Sequence, residues 1–145
     1  MSHAHDHPRS RLYLWVALGS SLGALGRWAV AEVMAGSGAP GMAPGWPWGT
    51  LTVNVAGSLL IGILAALVAR HRAPLSQLPA QLFLMTGFCG AFTTFSAFGL
   101  ETLWLLQAGR TGMAMAYVAC SAPLWIFAAW AGYRLGLQGR WGAAR

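Results

Sequence analysis

Lysine is absent from this sequence and acids are nearly so: all nine basic residues are arginine, and the acids are Asp6, Glu32 and Glu101. Charged residues make up 8% of the 145 positions against 57% hydrophobic, with a mean hydropathy of +0.55. That scarcity excludes a soluble domain with a solvated surface and implies an integral membrane protein. Metal-ligand spacings and nucleophile–base pairs are missing too, which argues against an enzyme. The two cysteines, Cys89 and Cys120, fall inside apolar runs as small hydrophobes and provide no disulfide framework. A pI near 10.8 would suggest nucleic acid in a soluble chain. Here there is no basic face or recognition motif, and the arginines mostly flank apolar runs as interfacial anchors.

What is present is four stretches of spanning length, about 12–34, 48–69, 82–106 and 113–137. They predict an all-α integral membrane protein, one transmembrane domain over 1–145 with a flexible tail at 1–10. Proline-bearing segments at 36–49 and 70–79 and "AGRTG" at 108–112 read as loops. Tyr13, Trp15, Trp46, Trp48 and Trp141 suit membrane interfaces. "AVA" at 29–31 resembles a signal-peptidase site, but Arg27 interrupts the run before it, so the first span is retained. "HAHDH" at 3–7 could grip a divalent metal but reads as a tail. Gly19 and Gly23 form a G-x-x-x-G, favouring ordinary close packing over a dedicated dimer seam.

Polar residues then fall on particular helix faces. "GTLTVNVAGSLLIG" (49–62) sets Thr50, Asn54 and Ser58 at i+4 spacing beside Gly57 and Gly62. The stripe is either a hydrogen-bonding seam between helices or a track of donors, and Asn54 offers the richest set. Tyr117 and Ser121 repeat the spacing in the fourth span, ahead of Pro123. The third span holds "GAFTTFSAFGLET" (90–102), polar groups at a depth where each is expensive. Gly87 and Gly90 weaken the helix and Thr93–Thr94 compete for its backbone bonds, predicting a break near the midplane. Past it, Phe95 and Phe98 share a face at i, i+3, with Ser96 between them. Phenylalanine ring edges carry the positive end of the quadrupole and can meet an anion without a full charge. Arg27 is the lone interior arginine, unlike the clusters that bind large anions, and Glu101 is the only interior acid, unlike the acidic rings of cation paths. Neutral donors with aromatic edges suit a small anion, fluoride fitting best by size and chloride remaining open.

The blocks "GTLTVNVAGSLLIG" and "GFCGAFTTFSAF" resemble the Fluc (CrcB-type) fluoride channels, and the likeness covers all four spans. The resemblance implies a passive fluoride exporter of the cell inner membrane, an antiparallel, dual-topology homodimer with two narrow pores. It implies that Asn54 is the pore asparagine, and that Phe95 and Phe98 contact fluoride, one from each subunit in each pore, with Ser96 alongside. Gly90 and Thr93 would give backbone carbonyls from both subunits to a central structural sodium ion. Tyr117 and Ser121 match the start of a polar track, while Arg27, Glu101 and Ser58 fall at vestibule or supporting positions. The chain departs from the family where Ala97 replaces a common hydroxyl residue and where Trp125, one turn beyond Ser121, stands in place of another polar residue.

Topology gives a conflicting expectation. With the N-terminus inside, Arg9, Arg11, Arg70, Arg72, Arg134, Arg140 and Arg145 gather on one side and only Arg110 on the other. That bias predicts a single orientation, in which case an oppositely oriented homologue would be needed as partner. The rivals in function are a small dual-topology proton-coupled multidrug or cation antiporter, which needs an embedded carboxylate such as Glu32 or Glu101, and a non-transporting assembly subunit.

Overall fold

The computed structural model describes residues 9–35 and 45–139. The histidine-rich segment 3–7, Trp141 and the arginines at 140 and 145 lie outside the described residues. Helix α1 runs Arg9–Ala35 and α2 runs Trp48–Ala69. Next comes α3, residues 78–92, α-helical over Leu78–Gln81 and Gly90–Phe92 and π-wound over Leu82–Cys89. Thr93 (φ −86°, ψ 161°) and Thr94 (φ −153°, ψ 125°) are extended. Helix α4 covers Phe95–Gln107 and α5 covers Thr111–Gln138.

Among the described residues four helical stretches are long and apolar enough to cross a membrane: Arg9–Met34, Trp48–Ala69, Leu78–Gln107 and Thr111–Gln138. The chain is thus a multi-pass membrane protein. The second coincides with the expected 48–69, and the others are longer than expected. Arg9 and Ser10 belong to α1 rather than to the expected tail over 1–10. The third begins at Leu78 because Pro79 falls in the first turn of its helix, where the missing N–H costs nothing.

Two close seams set the packing. Helix α1 lies mainly against the π-wound part of α3, and α2 lies mainly against α5. In the first seam a Cβ on Gly19 would collide with the Phe83 carbonyl and one on Gly23 with the Phe88 carbonyl. The G-x-x-x-G therefore brings two segments of one chain together. In the second, a Cβ on Gly62 would strike the Ala129 carbonyl and one on Gly132 the Leu59 carbonyl. Without a hydrophobic drive between helices in lipid, such backbone approach supplies the dispersion contact that holds them. The outward side of α1 presents Leu14, Leu18, Leu22 and Leu25, as a lipid-facing helix should.

At one end Arg70, just past α2, closes α5. Its Nη1 lies 3.1 Å from the Gly136 carbonyl, 2.7 Å from that of Leu137 and 3.0 Å from that of Gly139. These are acceptors that the helix itself leaves unpaired, and a cation suits the negative end of the macrodipole.

Candidate functional site

The site grows from the extended Thr93–Thr94 pair. Leaving the helix there frees backbone groups that must find partners in a low-dielectric interior. Asn54, reaching across from α2, supplies them for Thr94: Asn54 Nδ2 donates to the Thr94 carbonyl at 2.8 Å, and the Thr94 N–H donates to Asn54 Oδ1 at 2.7 Å. Asn54 is only 5% exposed, so both bonds are shielded from solvent. The Thr94 hydroxyl then caps α4 by accepting the Ala97 N–H at 3.1 Å, and lies 3.2 Å from the Ser96 hydroxyl. Thr93 turns its own hydroxyl back to the Cys89 carbonyl at 2.9 Å. Gly57 makes room for it, since a Cβ there would strike Thr93 Cγ2.

Two clefts meet at Thr94. One, of about 240 Å³, is lined by Asn54, Gly57, Ser58, Ile61, Cys89, Gly90, Thr93, Thr94, Phe95 and Trp125. The other, of about 370 Å³, is lined by residues including Arg27, Trp28, Gly49, Thr50, Val53, Thr94, Ala97 and Glu101. The stripe read along α2 is therefore divided: Asn54 and Ser58 serve one cleft and Thr50 the other. Thr94 lines both clefts, and Asn54, bonded to it, lines the first.

In the second cleft Glu101 is fixed by two hydroxyls from different helices. Thr50 Oγ1 donates to one carboxylate oxygen at 2.7 Å and the Tyr117 hydroxyl to the other at 2.9 Å. Tyr117 is fully buried and belongs to the aromatic core of the site. Its ring centroid is 5.0 Å from that of Phe98 and 5.7 Å from that of Trp46, and Trp125 packs on Phe98 at 5.0 Å with the rings 79° apart. Phe95 and Phe98 are neighbours with centroids 5.5 Å apart. Their surroundings differ: Phe98 is 9% exposed, whereas Phe95 is 75% exposed beside the first cleft.

Among the described residues three buried side-chain polar atoms lack a hydrogen-bond partner: Trp46 Nε1, Ser121 Oγ and Trp125 Nε1. Trp46 packs on Tyr117 and Trp125 on Phe98, and Ser121 is one turn beyond Tyr117 on α5. Such orphans are rare enough in folded proteins that each calls for a reason.

Of the residues singled out from the sequence, Asn54, Ser58, Gly90, Thr93 and Phe95 come together at the first cleft, and Arg27 and Glu101 at the second. Phe98 and Tyr117 pack on each other in the core, Ser121 is buried one turn farther along α5, and the Ser96 hydroxyl lies beside that of Thr94. The sequence reading did not include Thr94 among its site residues, although Thr94 links Asn54, Ser96 and Ala97. Its position just before a helical run, with the hydroxyl three residues ahead of Ala97, was the available signal.

The sequence profile of the CrcB-like protein, Camphor Resistance (CrcB) family matches residues 14–133. A fluoride-specific ion channel FluC from Thermus thermophilus is 46% identical over 86% of this chain and 94% of its own length. One from Paracoccus denitrificans is 45% identical over 86% and 93%. FluC 1 of Bradyrhizobium diazoefficiens is 42% identical over 84% and 82%. The profile match covers the two motifs, the residues that line the two clefts and most of each helical stretch, and the chain belongs to the CrcB-like family.

Proposed function

We propose that this chain is a fluoride-specific channel that lets fluoride leave the cell passively across the inner membrane. The observation that carries the reading is the cleft that joins Asn54, the extended threonines and the exposed Phe95, in a chain whose curated relatives are fluoride channels. The lining is apolar apart from neutral groups. Fluoride must shed water to enter, and hydroxyl, amide and aromatic C–H donors replace that water without binding so tightly that the ion stops. The N-terminus of α4, whose partial positive charge faces the extended pair, adds attraction of the same moderate kind. An antiporter built on Glu101 would need that carboxylate open to exchange between proton and cargo, whereas both its oxygens are engaged.

The pore is proposed to require a second copy in antiparallel, dual-topology arrangement. Phe98 is covered by its own chain, while Phe95 projects from it, so each of two pores would combine Phe98 of one subunit with Phe95 of the other. Ser96, Tyr117 and Ser121 would line the route, Arg27 would draw anions toward the vestibule, and Ser58 and Glu101 would support the walls. The extended Thr93–Thr94 pair is then the break of the third span, at the membrane's mid-depth.

The backbone there fits a sodium ion. An unbroken helix would send the Thr94 N–H to the Gly90 carbonyl and the Ala97 N–H to the Thr93 carbonyl. Those two donors go instead to Asn54 and to the Thr94 hydroxyl. A Cβ on Gly90 would find its nearest contact at 4.0 Å, so crowding within the chain does not explain the glycine. Hard carbonyl oxygens from two subunits would suit an alkali ion. Sodium bound there would supply positive potential beside the path. Gly90 keeps the approach open, and Asn54 and Thr94 keep the carbonyls released.

The test is efflux from liposomes holding the purified chain, fluoride against chloride, with Phe95→Ile and Asn54→Asp alongside. Rapid uncoupled fluoride efflux, lost in both variants, is expected. Absence of fluoride efflux from the wild type, alone and with an oppositely oriented homologue, would overturn the reading. Efflux only with the homologue would replace the homodimer by a heterodimer.

A further inference from the structure

We propose that the indole N–H of Trp125 is itself a ligand on the anion route, on the helix face that Tyr117 and Ser121 begin. The inference rests on the channel reading above and goes beyond it, since tryptophan there first reads as a loss of polarity. Tyr117, Ser121 and Trp125 follow one another at four-residue intervals along α5, so their side chains leave one face about 6 Å apart. Tyr117 Oη is committed to Glu101. Ser121 is fully buried, and its Oγ has no partner. Trp125 Nε1 is likewise buried without a partner, on a residue that lines the same cleft as Asn54, Ser58 and Phe95.

Tryptophan packed for bulk alone would gain by turning its N–H toward a carbonyl or a surface, because a dry, unpaired donor is costly. Here the ring is held against Phe98, with the planes at 79°. An indole N–H donates and cannot accept, so it offers nothing to a cation. Unlike arginine it is neutral, so it stabilises a dehydrated anion without trapping it. The donor that the family pattern would supply as a polar side chain is supplied here by a ring that also braces Phe98.

The experiment uses the full-length chain. Fluoride efflux from liposomes is compared between wild type and Trp125→Phe, which keeps an aromatic ring against Phe98 and deletes the donor. In parallel, the indole 15N–1H spectrum of the wild type in detergent is followed as NaF or NaCl is added. Eight tryptophans contribute, and the signal missing from Trp125→Phe identifies the one sought. The expected results are a fall in fluoride efflux of about ten-fold, as for loss of one donor to a charged partner, and a downfield move of that signal with fluoride but not chloride. Efflux within about two-fold of wild type, or an indole signal indifferent to fluoride, overturns the proposal while leaving the channel reading intact. Wild type without fluoride efflux, alone and with an oppositely oriented homologue, would overturn both. Should the Trp125→Phe chain fail to assemble, the signal missing from Trp125→Tyr identifies the indole instead, and the wild-type titration still decides.

Discussion

Asn54 and Thr94, forty positions apart in the chain, are joined by two hydrogen bonds of 2.8 and 2.7 Å that use both faces of the asparagine amide and both backbone groups of the threonine. The pairing substitutes one side chain for the helical partners that the extended segment gives up. It also leaves one Asn54 N–H for the cleft.

Asn54→Asp should therefore do more than alter a pore group. The carboxylate cannot donate to the Thr94 carbonyl, so the variant should lose about 1–3 kcal/mol of stability as well as its fluoride efflux. Thermal unfolding in detergent measures the first and liposome efflux the second. Unchanged unfolding would show that the pairing contributes nothing to holding the extended segment.

Phe95 and Phe98 should separate function from folding. Phe95 is 75% exposed, so Phe95→Ile should abolish efflux and leave unfolding of the single chain nearly unchanged. Phe98→Ala opens a void between Tyr117 and Trp125 and should cost roughly 3 kcal/mol as well. Equal stability losses in the two variants would contradict this division.

Glu101 should prove a shared anchor. Thr50→Val and Tyr117→Phe each remove one of its donors, and each should cost about 1–2 kcal/mol. Because both act through the same carboxylate, the double variant should differ from the sum of the singles. Strict additivity in a double-mutant cycle would show that the two bonds do not communicate through Glu101.

Arg70 should matter for stability alone. Arg70→Ala uncovers the carbonyls at the end of α5 and should lower stability by roughly 1–2 kcal/mol. Fluoride efflux per folded channel should stay within about two-fold of wild type. A large loss of efflux at equal stability would place Arg70 in the conduction machinery instead.

The four spans were legible in the sequence because hydropathy is a local property: about 20 apolar residues are needed wherever they fall. The expected 48–69 matches Trp48–Ala69, while the ends of the others moved outward where Arg9, Pro79 and Gln138 are tolerated in terminal turns. Helical spacing likewise put Phe95 beside Phe98 and grouped Tyr117, Ser121 and Trp125 on one line. Spacing could not say what lay opposite. It read Thr50, Asn54 and Ser58 as one stripe, although Thr50 meets Glu101 and Asn54 meets Thr94. It favoured ordinary packing over a dimer seam for Gly19 and Gly23, and the closeness of the Phe83 and Phe88 carbonyls puts both at an intrachain seam.

The sequence by itself thus determined what each segment is: an apolar span, a polar face, a weakened stretch of helix. Which backbone groups are released, which donors remain unpaired, and which of two neighbouring phenylalanines is covered depended on contacts between residues 16 to 51 positions apart. Helix periodicity is dictated by short-range sterics and hydrogen bonding within a few residues. Partner choice follows from packing of whole helices, and that exists only in the tertiary structure.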